Sequence, residues 1–452
     1  MSVNSLFEIS QRSFRALNAK MDATGQNIAN ANTEGYSRRR ATLEASNTVS
    51  PGLYTSPPGP ATGDGVTVSS YERMRSRMLD AAAAEAKTGE SGAREEGRIL
   101  SVLEGALATD TDGSLTSSLE SFFGSLNDLA NNPTDQGVRE TVLAKADALT
   151  GAFGRLDQRI GGLVDDTKTT LASSVDEANG LLKDIARLNK TIRDARASGS
   201  PDLAAKDRRD TLVKKLSKLV PAKVQQDGEG DYALSVQGVN VVQGEETTLL
   251  QQTDPTTVQF GETGIAFKAR EEGTGKIGTQ LRALNETLPG VQTRLDELAQ
   301  GVVEDVNDIH KNGFDQNGNT GDPFFDPTKT TAGSIQRAVD GPKDIAAVAG
   351  DGNGNPLPGD TTPAQEMAAL SETLTPKAID LAASVGSKVQ QAAAREEAQA
   401  ATATRLESLA QGVSGVSLDE EMSSLVEQQQ QFAASARVLR TAREVTDTLL
   451  SI

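Results

Sequence analysis

The stretch "GQNIANANTEGYSRRR", Gly25 to Arg40, decides how this chain is organised, because Asn27, Asn30 and Asn32 interrupt a long helical pattern. Upstream, Val3, Phe7, Ser10, Phe14, Leu17, Met21, Thr24 and Ile28 recur with spacings that alternate between four and three. That spacing is one face of a helix about 40 Å long. Ser10 and Thr24 soften the seam, and the helix is expected to break in the Asn-rich stretch. Downstream, "SPGLYTSPPGPATGDGV" (Ser50 to Val66) reads as an extended loop, since its prolines restrict the backbone.

The far end mirrors this pattern. Leu418, Met422, Leu425, Gln429, Phe432, Ala436, Leu439, Ala442, Val445, Leu449 and Ile452 form a second seam that runs to the last residue of the sequence. Gln429 takes a seam position within "VEQQQQFAAS", and a polar residue there fixes register between helices at some cost in stability. Chain ends ordinarily fray. Heptad spacing at both ends implies that the terminal helices are held, by each other or by copies in neighbouring subunits.

Between the ends lies more helix. "SLTSSLESFFGSLNDLANNP" puts Leu115, Leu119, Phe122, Leu126 and Leu129 on one face, with Ser114 as cap and Asn132-Pro133 as stop. Helices are expected over about 134–198, where Ala178, Leu181, Ile185, Leu188, Ile192 and Ala195 repeat the spacing, over 202–219, and from 279 to His310. From Ala222 to about Lys268 the period falls to two, as in "YALSVQGVNVVQG", which predicts short antiparallel strands. The expected fold is mainly α: a helical bundle or coiled coil formed from both chain ends, with a small inserted antiparallel β domain. Residues 1–66 plus 406–452 form the terminal domain, 67–221 plus 279–405 the helical body, and 222–278 the β insertion.

Composition bounds the function. The 452 residues suit several domains or sub-domains. With no Trp, 4 Tyr and 11 Phe, the interior rests mostly on Ala, Leu, Val and Ile. The balance of 45 Lys and Arg against 63 Asp and Glu, net −18, opposes binding to nucleic acid or anionic lipid. Zero Cys excludes disulfides and thiolate sites, and a lone His excludes a His-based triad or multi-His metal site. The first twenty residues lack the continuous apolar core of a cleaved secretion signal, and no apolar run is long enough to cross a membrane.

Four local features are weighed against chemistry. "GTGKIG" (Gly273 to Gly278) matches the dinucleotide fingerprint but lacks the parallel βαβ context, so a turn is expected. "DQNGNTGDPFFD" (Asp315 to Asp326) resembles a calcium loop but has Thr320 where Gly is required, so it reads as a turn-rich loop. Asp202, Asp207 and Asp210 around Arg208 and Arg209 read as a solvated helix face with local ion pairs rather than a paired-carboxylate site. His310, with no nucleophile beside it, reads as a partly buried structural residue. No catalytic, cofactor or metal site is expected.

"ALNAKMDATGQNIANANTEGYSRRR" resembles the N-terminal motif of the flagellar axial proteins, the rod, hook and hook-associated family, on Ala16, Leu17, Asn18, Asn27, Ile28, Ala29, Asn30, Asn32, Thr33, Gly35, Tyr36 and Arg38. The sequence from Ser414 to Leu450 resembles the other half of that signature. "GYSRRR" is similar to the hook-associated branch, where hook and rod proteins more usually carry Phe-Lys after the glycine. "LANNPTD" with Arg139, "DLAAKDRRD" and "VNDIHKNGFDQNGN" add to it, while Gln428 departs from an aromatic common in the family. The resemblance implies a structural protein exported through the flagellar type III apparatus without signal cleavage, its ends ordering only on assembly. It further implies a homo-oligomeric ring with hook protein on one side, the next hook-associated protein and the filament on the other, and an export chaperone for the C-terminal helix. A hook or distal rod protein of the same family is the alternative.

Overall fold

The computed structural model describes residues 3–46, 65–108, 113–226, 232–269 and 274–450. The chain begins with α1 (Val3–Ala29), followed by an antiparallel ribbon of β1 (Arg39–Ala45) and β2 (Val66–Arg73). The body then runs through α2 (Arg77–Ala106), α3 (Leu115–Asn131), α4 (Gln136–Ala197) and α5 (Leu203–Leu219). Six strands follow: β3 (Ala222–Gln226), β4 (Tyr232–Val236), β5 (Val239–Gln243), β6 (Glu246–Thr247), β7 (Leu250–Asp254) and β8 (Thr257–Phe260). The chain returns through α6 (Gly275–Arg282), a π-helical turn at Ala283–Thr287, and α7 (Leu288–His310). A hairpin of β9 (Ala349–Gly350) and β10 (Pro356–Leu357) precedes α8 (Thr362–Ala369), α9 (Ser371–Ser414) and α10 (Leu418–Leu450).

Helix starts follow local chemistry. Ser114, Asp135 and Asp202 each accept a hydrogen bond from the backbone three residues on, at 3.2, 3.0 and 2.8 Å, satisfying N–H groups that a first helical turn leaves unpaired. The 62 residues of α4 make a rod about 93 Å long. It passes through two hydrophobic cores.

The first core joins α3, the first half of α4, α7, α8 and α9. At its centre Phe122, Phe123, Phe324 and Phe325 interlock, with Phe122 to Phe324 ring centroids 5.7 Å apart and Phe324 to Phe325 4.9 Å apart. The loop read as turn-rich thus inserts its "FF" pair into the core, and the few aromatics are concentrated rather than absent from the interior. The second core joins the far half of α4, α5 and α6 to the strands, with Leu234, Val241, Val242 and Phe260 packed against Leu171, Ile185, Leu216 and Ile277. The strands form a four-stranded antiparallel sheet, β3-β4-β5-β6, and a β7-β8 pair.

"GTGKIG" is not a free turn. Gly275 to Gly278 form the first turn of α6, buried so closely that a Cβ on Gly275 would sit 2.7 Å from the Leu219 carbonyl oxygen. Its φ of +69° is also in the region that favours glycine.

His310 is 1% exposed and holds two loops. Its Nε2 accepts from the Ala346 N–H at 2.8 Å, so Nδ1 carries the proton and donates to the Asp322 carbonyl, also at 2.8 Å. Burial pushes the imidazole below its ordinary value. With the folded-state value depressed, stability is fully present above pH about 6.5 and falls as acid protonates the unfolded chain preferentially. Urea midpoints taken between pH 7 and 5 should fall more steeply for the native chain than for His310→Gln. Parallel slopes would refute this.

Candidate assembly site at the paired chain ends

The two end helices pack antiparallel on each other. Phe14 meets Phe432 edge to face at 4.8 Å, Ser13 Oγ lies 3.3 Å from Ser435 Oγ, and Gln428 donates to Thr24 Oγ1 at 3.2 Å. On α1 the inner side is formed by Phe7, Ser10, Phe14, Leu17, Met21, Thr24 and Ile28, with Ser10, Leu17 and Thr24 fully buried. The side chain of Val3 lies outside the described residues. Ala16, Ala19 and Ala23, on an adjacent side of α1, are buried too, and the helix also packs on the β1-β2 ribbon.

The expected seam of α10 divides between two sides of the helix. Leu425, Phe432, Ala436, Leu439 and Ala442 lie on the inner face, but Leu418, Met422 and Val445 are 48%, 51% and 45% exposed, and Gln429 is exposed as well. Leu449 and Ile452 lie outside the described side chains. The inner ladder instead reads Glu421, Leu425, Gln428, Phe432, Ser435, Leu439, Ala442 and Thr446. The physical reason is complementarity: α1 presents Asn27, Thr24 and Ser13, and polar partners on α10 satisfy them where apolar ones would leave them unpaired.

Asn27, 1% exposed, is the hub of the Asn-rich motif. Its Oδ1 accepts from the Arg39 N–H at 2.8 Å and the Tyr36 hydroxyl at 2.9 Å. Its Nδ2 donates to the Arg39 carbonyl at 2.9 Å and to Glu421 Oε2 at 3.0 Å. All four hydrogen-bonding positions of the amide are filled. Burial pushes the Tyr36 phenol above its ordinary value, which keeps it a donor. Glu421, 2% exposed, also takes Arg38 Nε at 2.7 Å, and the Arg38 N–H reaches the Ser414 carbonyl at 2.8 Å. The remaining motif residues shape the turn. Asn30 Nδ2 donates to the Gln26 carbonyl at 2.9 Å, Thr33 Oγ1 donates to Asn30 at 3.3 Å, and Ala29, Asn32 and Gly35 are exposed. Gly35, with φ of +80°, lies where a Cβ would be 2.3 Å from Thr211 Oγ1.

Thr211 belongs to α5, and here an expectation fails. Asp207 and Arg209 are each only 6% exposed, so "DLAAKDRRD" is not a solvated face. Arg73 bridges Asp207 at 2.9 Å and Asp210 at 2.7 Å, Arg75 pairs with Asp210 and with Asp80, and Arg39 approaches Asp207 at 3.7 Å. Arg209 stacks on the Tyr232 ring at 3.5 Å and donates to Asn189 at 2.8 Å. The cations come from the ribbon and the anions from the body, so these pairs are the bolts between the end region and the helical body. Spacing within α5 could not reveal partners more than a hundred residues away.

Among the described residues no group of three or more His, Cys, Asp and Glu side chains is placed to hold a metal ion, and no helix is long and apolar enough to cross a membrane. Asp315 uses its carboxylate on the Asn319 N–H at 2.7 Å, and Asp326 on the Thr328 N–H at 2.9 Å. The arrangement has the means to dock helices.

The paired ends carry the match to a class, the flagellar axial proteins: residues 410–452 match the family described as "Flagellar basal body rod FlgEFG protein C-terminal". Residues 100–325, half of the chain, match "Flagellar hook-associated protein FlgK helical domain". The chain belongs to the FlgK family of flagellar hook-associated proteins, structural components of the flagellum. It is 27% identical to flagellar hook-associated protein 1 of Bacillus subtilis over 98% of this chain and 97% of that one. It is 30% identical to the protein of that name in Salmonella typhimurium over 72% of this chain, and spans only 59% of that longer relative. The fold resembles that of the flagellar hook junction protein FlgK from Burkholderia pseudomallei, with a TM-score of 0.63 at 16% identity, covering 75% of this chain and all of that one.

Proposed function

We propose that the chain is a non-catalytic structural subunit of the hook–filament junction, built into the flagellar axis through its paired ends. The observation that carries this is the α1–α10 pair, clasped at Asn27 and Glu421, which leaves Leu418, Met422, Val426, Val438 and Val445 of α10 at 45% exposure or more. Soluble chains seldom leave such residues uncovered along one helix. A neighbouring copy in a ring covers them, with hook protein on one side and the next hook-associated protein and the filament on the other. Before assembly an export chaperone shields α10, and the chain travels the type III route to the flagellum without signal cleavage. Helices that bury one face only through partners are marginal alone, which suits ends that order on arrival.

The test is complementation. A proline at Leu425 removes an N–H from α10 and clashes with the preceding turn, costing about 3 kcal/mol, and Leu17→Pro does the same to α1. Either variant as the only copy should leave hooks without filaments while the body still melts normally. Normal filaments would overturn the reading.

A further inference from the structure

The sequence contains four Asn-Gly pairs, Asn179-Gly180, Asn312-Gly313, Asn317-Gly318 and Asn353-Gly354. Asn-Gly is the dipeptide in which the backbone nitrogen of the second residue most readily reaches the side-chain amide of the first, since glycine offers no side chain to obstruct it. The fold treats the four differently.

Asn179 is locked to Leu250 by two bonds of 2.8 Å, and Gly180 lies inside α4. Asn312 Nδ2 donates to the Asp308 carbonyl at 2.7 Å and the Gly313 N–H to the His310 carbonyl at 3.2 Å. Gly313 is also crowded, with Ala346 3.2 Å from where its Cβ would be. Asn317 Nδ2 donates to Asp344 at 3.2 Å and to Asp315 at 3.4 Å, and the Gly318 N–H to the Asp315 carbonyl at 3.3 Å. The fourth pair sits at the tip of the β9-β10 hairpin. Asn353 and Gly354 are exposed, nothing lies within 4 Å of a Cβ built on Gly354, and its N–H donates to no acceptor among the described residues. The side-chain amide that donates to Asp351 at 3.0 Å is that of Asn355.

The geometry points to Asn353 as a site of spontaneous deamidation, the one Asn-Gly pair that the folded chain leaves open to the reaction. The Gly354 nitrogen gives its proton to solvent base and attacks Asn353 Cγ, forming the N–Cγ bond of a succinimide. The Cγ–Nδ2 bond breaks, and Nδ2 leaves as ammonia with a proton taken from water. Water then opens either imide C–N bond, giving aspartate or isoaspartate. The product adds a negative charge, and isoaspartate adds a methylene to the backbone of a turn in which the Asn353 and Asn355 N–H groups both bond Asp351 Oδ1, at 2.8 and 3.0 Å. The change is irreversible without repair chemistry, so its extent records how long a folded subunit has existed.

The experiment is peptide mapping by mass spectrometry of the full folded chain over days in mildly alkaline buffer. Each hydrogen bond that must open first slows the reaction about fivefold, so Asn353 should deamidate at least about fivefold faster than Asn179, Asn312 or Asn317. In urea the four rates should converge, and Asn353→Gln should remove the site while leaving the other three unchanged. Equal rates in the folded chain, or Asn312 or Asn317 reacting first, would overturn the assignment.

Discussion

Asn27→Ala is expected to release both ends of the chain together. The substitution removes four hydrogen bonds at once and leaves the Glu421 carboxylate, 2% exposed, with Arg38 as its remaining close partner. It also strands the Tyr36 hydroxyl and the Arg39 backbone, both of which the amide had satisfied. Leaving a buried charge and several polar groups short of partners costs about 3–5 kcal/mol. That is enough to detach α10, whose packing on α1 otherwise rests on a few half-buried contacts such as Phe14 on Phe432. Limited proteolysis of the full chain should therefore cut α1 and α10 at matching rates in the variant, while the body resists as before. Asn30→Ala supplies the contrast. Asn30 bonds only its own helix end and Thr33, so its loss should cost less than about 1 kcal/mol. If the two variants behave alike, Asn27 is not the clasp.

The clasp was half legible. Spacing alone located α1 and α10, because a seam of four and three repeats needs no knowledge of the partner. It did not give the ladder that faces α1 within the chain, because Leu418, Met422 and Val445 are more hydrophobic than Glu421, Gln428 and Ser435, and the two ladders share Leu425, Phe432, Leu439 and Ala442. The clue was on the other helix. Ser10, Thr24 and Asn27 of α1 call for polar partners, and only the ladder beginning at Glu421 supplies them.

The body shows the same limit. Capped, Leu-rich α3 and α4 were readable from their own residues, whereas α2 buries Ile99, Leu100 and Leu103 only in its last turns and, before them, the small and polar Ala83, Ala86, Glu90, Gly92, Ala93 and Glu95. It packs closely on α9, whose buried residues include Ala392 and Ala403. Nor does a strand reveal its sheet. Arg39 to Ala45 became a strand by pairing with Val66 to Arg73; the stretch from Ser50 that reads as an extended loop lies, up to residue 64, outside the described residues. What depended on distant partners was hidden, and the Asp207 and Asp210 bolts are the clearest case.

Arg139→Met should unfold the first core at markedly lower urea. Arg139 is 2% exposed, and no salt bridge holds it among the described residues. Its guanidinium instead donates to three carbonyls, Pro133 at 2.7 Å, Ile345 at 2.8 Å and Pro342 at 3.0 Å. Burial pushes it below its ordinary value, with Asp315 acting in the opposite direction. The cation thus ties the break between α3 and α4 to the loop that also carries Ala346, the donor to His310. Methionine matches the stem but leaves three carbonyls without donors, at about 1–3 kcal/mol for each that water does not reach. Relief of the buried charge offsets part of this, and a net loss of about 3 kcal/mol is expected. Arg139→Lys should fall between, since one ammonium cannot span all three acceptors in the fixed fork of a guanidinium. The urea midpoint should drop without change of slope, and hydrogen exchange should rise at 342–348 before it rises in α7. A Met variant within about 0.5 kcal/mol of the native chain would mean that the buried cation costs as much as its three bonds contribute.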